Sequence, residues 1–257
     1  MTLPPRAVLV HRRTDLQELL ARHGTRGQAE FFLRTRGRRI EDADARHHAV
    51  NHAISTVSAA IPARWRRAIV ERAELPRFLF EPGDIIVVAG QDGLVANLAK
   101  YLDGQVVIGI NAEPGRNPGV LVPHPPEAAQ ALLTTAAGPG VAGHVENLAM
   151  VQASTDDGQR LTALNEIYIG QPSHQTARYA ITLPDGRTER QASSGLIAST
   201  GTACTEGDLT AGQTLSLTAE SDQLVLFGDG IEADAIPVNW GQAARITVAG
   251  QTVRMLR

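Results

Sequence analysis

Short apolar strands alternate with helical segments over the first 111 residues, and this alternation restricts the fold more than any other feature of the sequence. Apolar runs of strand length occur at 6–11, 67–72, 84–89 and 105–111. Apolar residues at helical spacing lie between and after them and predict helices at 14–24, 28–35, 41–60 and 93–102. Strands that alternate with helices in this way favour a parallel α/β sheet.

The second half of the chain has a different pattern. A helix is predicted at 127–135, and the stretch 138–143 after it formally matches a Gly-x-Gly-x-x-Gly motif. Because this stretch follows a helix rather than a strand, it is interpreted as a linker. Short strands are then predicted at 161–169, 178–183, 215–218, 223–227, 244–249 and 252–256. The turns Pro184-Asp185-Gly186 and Gly228-Asp229-Gly230 are typical of hairpins between such strands.

The predicted fold class is therefore α/β plus β, in two domains. The first domain, 1–125, contains the strand–helix alternation, and the second, 126–257, is rich in β-strands. The last strand is a candidate for a return to the first domain.

Composition excludes several classes of protein. A net charge of -3 with 20% charged residues gives no support for a nucleic-acid surface. Arginine clusters such as Arg12-Arg13 are flanked by acidic residues and are interpreted as solvated helix faces. The chain has neither a secretory signal nor an apolar run of about 18 residues, which predicts a cytoplasmic protein without a membrane partner.

Cysteine and lysine are almost absent, and this limits the chemistry. Cys204 is the single cysteine, so a disulfide framework or a cysteine zinc cluster is excluded. His48 and His52 lie one helical turn apart, but opposite the apolar stripe, and are interpreted as solvated; no protein-held metal site is predicted. Lys100 is the single lysine and follows alanine, so there is no Walker A loop, and phosphates would be bound by backbone amides, arginine and metal.

The turn Gly90-Gln91-Asp92-Gly93 joins the third predicted strand to a helix. Asp and Gly are common in tight turns, so a structural role is one interpretation. This turn would also lie at the carboxyl end of a sheet strand, where open α/β folds bind ligands. Glycines there let backbone N–H groups approach a phosphate, and the helix start adds positive potential. An aspartate beside a phosphate repels it unless it binds metal or removes a proton, which favours a catalytic role.

Three further stretches accompany this turn in a specific order. They are "VIGIN" at 107–111, "ALNEIYIG" at 163–170 and "SSGLIASTGTACTEG" at 193–207. Together with the turn, they resemble the motifs of the NAD kinases, and most closely those of the mitochondrial type, of which this chain would be a divergent and shortened member. "SSGL", "TGT" and the loop with Asn111, Pro114 and Arg116 carry the closer likeness. The resemblance extends over nearly the whole chain from Arg6, and it implies a two-domain NAD-kinase-like fold with an N-terminal nucleotide-binding α/β domain.

The resemblance also implies roles for individual residues. Asp92 would be the base that removes the proton from the adenosine 2'-hydroxyl of NAD, and Asn165 with Glu166 would hold the adenine end. Thr202 and Thr205 would line the dinucleotide cleft. The full set of implied cofactor-binding residues is Gly90, Gln91, Gly93, Asn111, Asn165, Glu166, Ser199, Thr202 and Thr205.

The implied activity is the ATP-dependent phosphorylation of NAD to NADP. ATP with its Mg²⁺ would be the phosphoryl donor, NAD the substrate, small-molecule nucleotides the only partners, and a homodimer the assembly.

Three departures from the family pattern leave alternatives open, and one of them is the short connection from Gly207 to the strand predicted at 215–218. Gln91 stands where the family has a second glycine, and Glu206-Gly207 stands where the family has alanine and an aromatic residue. A chain with these changes could instead be a kinase of the same fold for another nucleotide or a small hydroxylated substrate. It could also be a regulatory protein that binds NAD without catalysis.

Overall fold

A computed structural model describes residues 4–173, 175–200 and 209–257 of the chain. They form two compact units. The first unit contains the residues up to Glu146 together with Arg254–Arg257, and the second contains Asn147–Val253. The observed boundary therefore falls after the helix predicted at 127–135, whereas the prediction put it before that helix. The helix belongs to the first unit because it packs on the parallel sheet with that unit's core.

The first unit is built on four parallel strands in the order β2-β1-β3-β4. These strands are β1 (Arg6–His11), β2 (Arg66–Glu71), β3 (Asp84–Gly90) and β4 (Val106–Asn111). Every residue of β3 and β4 is buried. Their continuous apolar sequences are typical of parallel strands that are covered on both faces.

Among the described residues, five α-helices accompany this sheet. They are α1 (Asp15–His23), α2 (Arg26–Arg34), α3 (Ile40–Ala60), α4 (Asp92–Ala99) and α5 (Ala129–Ala136). Thr14 and Gln17 form a capping box at the start of α1, and Gly24 ends that helix with φ 75°. The helix predicted at 93–102 ends earlier, at Ala99, since the chain turns there through Lys100 and Tyr101. None of the described helices is both long enough and apolar enough to span a bilayer.

The described part of the second unit contains antiparallel strands in two sheets. The strands are β5 (Val145–Thr155), β6 (Arg160–Ala163), β7 (Glu166–Gly170), β8 (Ala177–Thr182), β9 (Thr188–Ser193), β10 (Gly195–Ser199), β11 (Leu215–Ala219), β12 (Leu224–Gly228), β13 (Ile236–Val238) and β14 (Ala243–Leu256). One sheet has the order β10-β7-β12-β13, and the other contains β14-β11-β8-β9 with β5 and β6. Inward-facing residues of both sheets, such as Ile167 and Leu217, share one core. The end of β14 belongs to the first unit, where Arg254 and Met255 pair in parallel with β4.

Several predicted strands of the second unit were wrong in extent. The run predicted at 161–169 is broken at Leu164-Asn165, because β6 pairs with β5 in one sheet and β7 pairs with β10 and β12 in the other. The two strands predicted at 244–249 and 252–256 form one strand, β14. The long strand β5 was not predicted, because its mixed polar and apolar sequence has no clear alternation.

Candidate functional site

A shallow, solvent-open cleft lies at the carboxyl ends of β1 and β3 in the first unit. From β1 the chain continues to β2 on one side and then returns to β3 on the other, so the strand order reverses between β1 and β3. Open α/β sheets bind ligands at such a reversal. The polar side chains that line the cleft are mainly Arg12, Arg13, Asp15, Arg46, Gln91 and Glu113.

Arginine side chains from two elements of the first unit meet at this cleft. Arg12 and Arg13 lie in the loop between β1 and α1, and Arg46 lies on α3. Arg46 Nη1 is 2.7 Å from a carboxylate oxygen of Asp15, and Arg12 is 3.8 Å from the other. The interpretation of Arg12-Arg13 as part of a solvated helix face was therefore wrong, because both residues follow a strand and face the cleft.

Gln91 caps the start of α4 with an ordinary extended backbone. Its φ is -123° and its ψ is 164°, a conformation that any residue adopts without strain. Its side-chain Nε2 donates to Glu113 Oε2 at 3.4 Å, across the cleft from the loop after β4. Of the two flanking glycines, Gly93 has room for a Cβ among the described atoms, whereas a Cβ on Gly90 would lie 3.2 Å from Leu94 Cδ2.

Asp92 is the first residue of α4, and its carboxylate binds the loop after β4. Oδ2 accepts a hydrogen bond from the backbone N–H of Val120 at 3.0 Å. Oδ1 accepts from the N–H groups of Leu121 at 2.8 Å and Val122 at 3.1 Å. The carboxylate thus fixes a segment that lies about 30 residues further along the chain, and both of its oxygens are engaged.

Asn111 is the last residue of β4, and its side chain is buried beneath the same loop. Its Nδ2 donates to the carbonyl of Asn117 at 2.9 Å, and its Oδ1 accepts from the N–H of Glu113 at 2.9 Å. Asn111 therefore shapes the loop from inside, and it positions Glu113, which lines the cleft.

Asn165 and Glu166 lie in the second unit, where the chain passes from one sheet to the other. Asn165 is exposed and stands between β6 and β7, so its prediction as part of a strand was wrong. The Asp229 carboxylate accepts hydrogen bonds from the N–H groups of Leu164 at 3.0 Å and Asn165 at 2.7 Å. The N–H of Thr200 donates to the Asn165 carbonyl at 2.9 Å. These bonds fix the backbone and leave the Asn165 side chain facing outwards.

Glu166 begins β7 and lies opposite Ser199 on β10. Partial burial, and then the nearby charge of Asp229, raise the pKa of the Glu166 carboxyl above its usual value. A carboxyl whose pKa is shifted by burial and by a specific charged neighbour is a candidate functional-site residue.

The predicted site residues therefore divide between the two units. Gly90, Gln91, Asp92, Gly93 and Asn111 lie together in the first unit, and Asn165, Glu166 and Ser199 lie together in the second. Thr202 and Thr205, like Glu206-Gly207, fall outside the described residues. Sequence reasoning missed Arg12, Arg13 and Arg46 as lining residues and Asp229 as the carboxylate that holds the Asn165 turn. The one feature of the sequence that could have placed Arg12 at this edge of the sheet is that it directly follows a predicted strand.

Replacement of Glu166 with glutamine is expected to stabilise the protein at neutral pH. The raised pKa means that the folded state holds a proton which the unfolded state releases near pH 4.5, so stability falls as pH rises through the interval between the two pKa values. A neutral glutamine avoids this loss. Melting temperatures of both proteins should differ at pH 7, with the variant higher, and should converge below pH 4.5, where both side chains are uncharged.

Glu189, exposed on β9, offers a matched control. Glu189→Gln is expected to change the melting temperature little at either pH. A Glu166→Gln protein that is less stable than the wild type at pH 7 would contradict the assignment.

Comparison with known proteins identifies the fold. No protein-family model matches the sequence, and no curated protein matches it. Two solved structures superpose on 98% of the chain. An NAD kinase from Archaeoglobus fulgidus in complex with ATP has a TM-score of 0.56 at 16% identity, with 93% of its own chain covered. Yeast NADH kinase complexed with NADH has a TM-score of 0.55 at 10% identity, with 83% of its chain covered. The chain therefore has the two-domain fold of the NAD kinases.

Proposed function

We propose that this protein is an ATP-dependent NAD kinase, which transfers a phosphoryl group to the 2'-hydroxyl of the adenosine ribose of NAD. The observation that carries the proposal is the position of Asp92. Its carboxylate lies at the start of α4, at the carboxyl edge of the parallel sheet, in a fold that NAD kinases share. The motif likeness at Asn165, Glu166 and Ser199 supports the same function.

In phosphoryl transfer, the protein mainly positions the reactants and stabilises charge. Phosphoryl transfer is accelerated mainly by orientation of the nucleophile and by stabilisation of charge on the transferred group. Asp92 would accept the proton of the ribose hydroxyl, while Asn165 and Glu166 would orient the adenine end of NAD. Gly90, Gln91 and Gly93 would bring backbone N–H groups to the phosphates, and Thr202 and Thr205 would line the dinucleotide site.

Mg²⁺ enters the proposal as the counter-ion of the ATP phosphates. The Asp15 carboxylate is paired with Arg46, and no group of three or more possible metal ligands occurs among the described residues, so the phosphates themselves would supply most ligands of the ion. When bound, the ion would neutralise negative charge on the transferred phosphoryl group.

One observation favours a second candidate function, an NAD-binding regulatory protein without catalysis. Both carboxylate oxygens of Asp92 accept hydrogen bonds from the segment Val120–Val122. A carboxylate in this arrangement serves as an anchor for the loop, and it becomes a base only when a lone pair is turned towards the ribose hydroxyl. In the regulatory protein, Asp92 would be an anchor alone.

Incubation of the purified protein with ATP, Mg²⁺ and NAD tests the proposal, with NADP detected by mass spectrometry. We expect NADP in the complete mixture and none when ATP is omitted. If NAD binds by calorimetry but is not phosphorylated by either ATP or inorganic polyphosphate, the regulatory function is supported and the kinase proposal fails. A product formed from another hydroxylated nucleotide would instead identify a kinase of the same fold with a different substrate.

Two finer features rest on the family resemblance alone. We propose that the protein is most similar to the mitochondrial-type NAD kinases and that it assembles as a homodimer. We also propose that it acts in the cytoplasm, the location that the sequence predicts.

A further inference from the structure

We propose that Arg12, Arg13 and Arg46 bind a polyphosphate chain in the cleft at the ends of β1 and β3. The inference rests on the proposed function for the identity of the ligand, which would be the triphosphate of ATP or the diphosphate of NAD. The site itself rests on the geometry of these three side chains.

The three guanidinium groups reach one cleft from two separate parts of the first unit. The loop after β1 provides Arg12 and Arg13, and α3 provides Arg46. The described carboxylates that line the same cleft are Asp15 and Glu113, so the lining carries three positive and two negative side chains. An excess of arginine at the ligand-binding edge of an α/β sheet favours an anionic ligand.

Arg46 is held in place, yet one of its donors is unused. Its side chain is 19% exposed, and Nη1 lies 2.7 Å from Asp15 Oδ2. Its Nε is buried and has no hydrogen-bond acceptor among the described residues. A buried donor without an acceptor costs free energy, and a turn of the guanidinium group that brings Nε to a phosphate oxygen would satisfy it.

Arg12 and Arg13 are, in contrast, only loosely paired. Their side chains are 42% and 61% exposed, and they lie 3.8 Å from Asp15 and 3.7 Å from Glu71. Exposed ion pairs at such distances contribute little. Both guanidinium groups can therefore turn towards a ligand at small cost, and arginine binds phosphate through two parallel hydrogen bonds.

The start of α4 forms the opposite wall of the cleft. Gln91 stands at the N-cap position of this helix and makes no side-chain cap hydrogen bond among the described residues, while the Asp92 carboxylate in the first turn offsets the positive potential of the helix start. The Gln91 amide instead donates to Glu113 at 3.4 Å. Because three arginines from two elements face one space, a chain of several phosphates matches the lining better than a single phosphate does.

Isothermal titration of the wild type with inorganic tripolyphosphate, ATP, NAD and adenosine tests the site. Arg12→Gln and Arg46→Gln are each expected to weaken tripolyphosphate binding about tenfold, because each removes a charge-assisted hydrogen bond. Adenosine affinity should stay unchanged, and added salt should weaken only the phosphate ligands. Arg187→Gln is the matched control, since Arg187 is an exposed arginine of the second unit, paired with Asp185 at 2.7 Å.

The two nucleotides separate the sources of the phosphate chain. Loss of ATP affinity with NAD affinity retained assigns the cleft to the phosphoryl donor, and the reverse assigns it to the dinucleotide. Arg12→Gln is expected to fold normally even if Arg46→Gln does not, because the Arg12 side chain is exposed and only loosely paired. Tripolyphosphate that fails to bind the wild type, or binds both variants as tightly as the wild type, overturns the proposal. Arginine-dependent binding without NADP formation would support the site while the kinase proposal failed.

Discussion

Alanine at position 109 is expected to destabilise the first unit by about 3 kcal/mol, the upper end of the usual cost of overpacking. Gly109 lies in the middle of β4, where the segment that follows the loop passes directly over it. A Cβ at this position would lie 1.9 Å from the carbonyl oxygen of Leu121 and 2.7 Å from Val122 Cα. Both neighbours are backbone atoms, so the clash cannot be relieved by rotation of a side chain.

The segment over Gly109 also has little freedom to move away. The N–H of Asn111 donates to the carbonyl of His124 at 2.8 Å, and the N–H of His124 donates to the carbonyl of Gly109 at 3.3 Å. The Asp92 carboxylate holds Leu121 and Val122 from the other side. Relief of the clash would therefore break several of these bonds at once.

Thermal unfolding measures the effect of Gly109→Ala, with an expected fall in melting temperature of about 6–12 °C for a chain of this size. Gly83→Ala is the control, because a Cβ there meets none of the described atoms within 4 Å. If Gly109→Ala melts as the wild type and the control do, the close approach of the segment to β4 is incorrect.

The sequence was most informative about the centre of the first unit. The strands β3 and β4 are continuous apolar runs and are buried at every residue, so their length and position were predicted to within one residue. The start of α1 was equally clear, because Thr14 and Gln17 form a capping box that local sequence encodes. Local patterns of this kind do not depend on distant residues.

The sequence was least informative where a contact joins distant parts of the chain. The carboxylate of Asp92 meets N–H groups 28–30 residues away, and Arg46 meets Asp15 from another helix. Every residue except proline has a backbone N–H group, so the sequence does not show which of these groups bind a distant carboxylate. The anchoring role of Asp92 could therefore not be predicted. The turn at Asn165 was missed for the same reason, since a carboxylate from Asp229 holds it.

The loop after β4 connects these observations to function. Gly109 allows the segment Val120–Val122 to approach the sheet, Asn111 shapes the loop that precedes it, and Asp92 binds the segment. The proposed catalytic carboxylate is therefore also a structural element of the first unit. A substitution of Asp92 therefore affects both the proposed proton transfer and the anchoring of the loop, and the experiment has to separate these two effects.

Asp92→Asn is expected to lower the rate of NADP formation by about 10²–10⁴-fold, the usual contribution of a general base. The substitution is also expected to destabilise the protein by about 1–3 kcal/mol. Asparagine offers one carbonyl oxygen in place of two carboxylate oxygens, so at least one N–H of the segment would face an amide N–H instead of an acceptor. Steady-state kinetics and the melting temperature measure the two effects, and Asp103→Asn, exposed after α4, serves as the surface control.

Arg257→Gln isolates the anchoring role, because it loosens the same segment without a change at Asp92. Arg257 Nη1 donates to the carbonyl of Val120 at 2.8 Å, and its Nε donates to Glu146 at 2.6 Å. Amide hydrogen exchange at Val120 and Leu121 is expected to accelerate in both variants. If Asp92 is the base, only Asp92→Asn loses turnover, since a looser segment leaves the carboxylate intact. If Arg257→Gln loses as much activity as Asp92→Asn, the loss follows from the loop, and Asp92 is an anchor rather than the group that takes the proton.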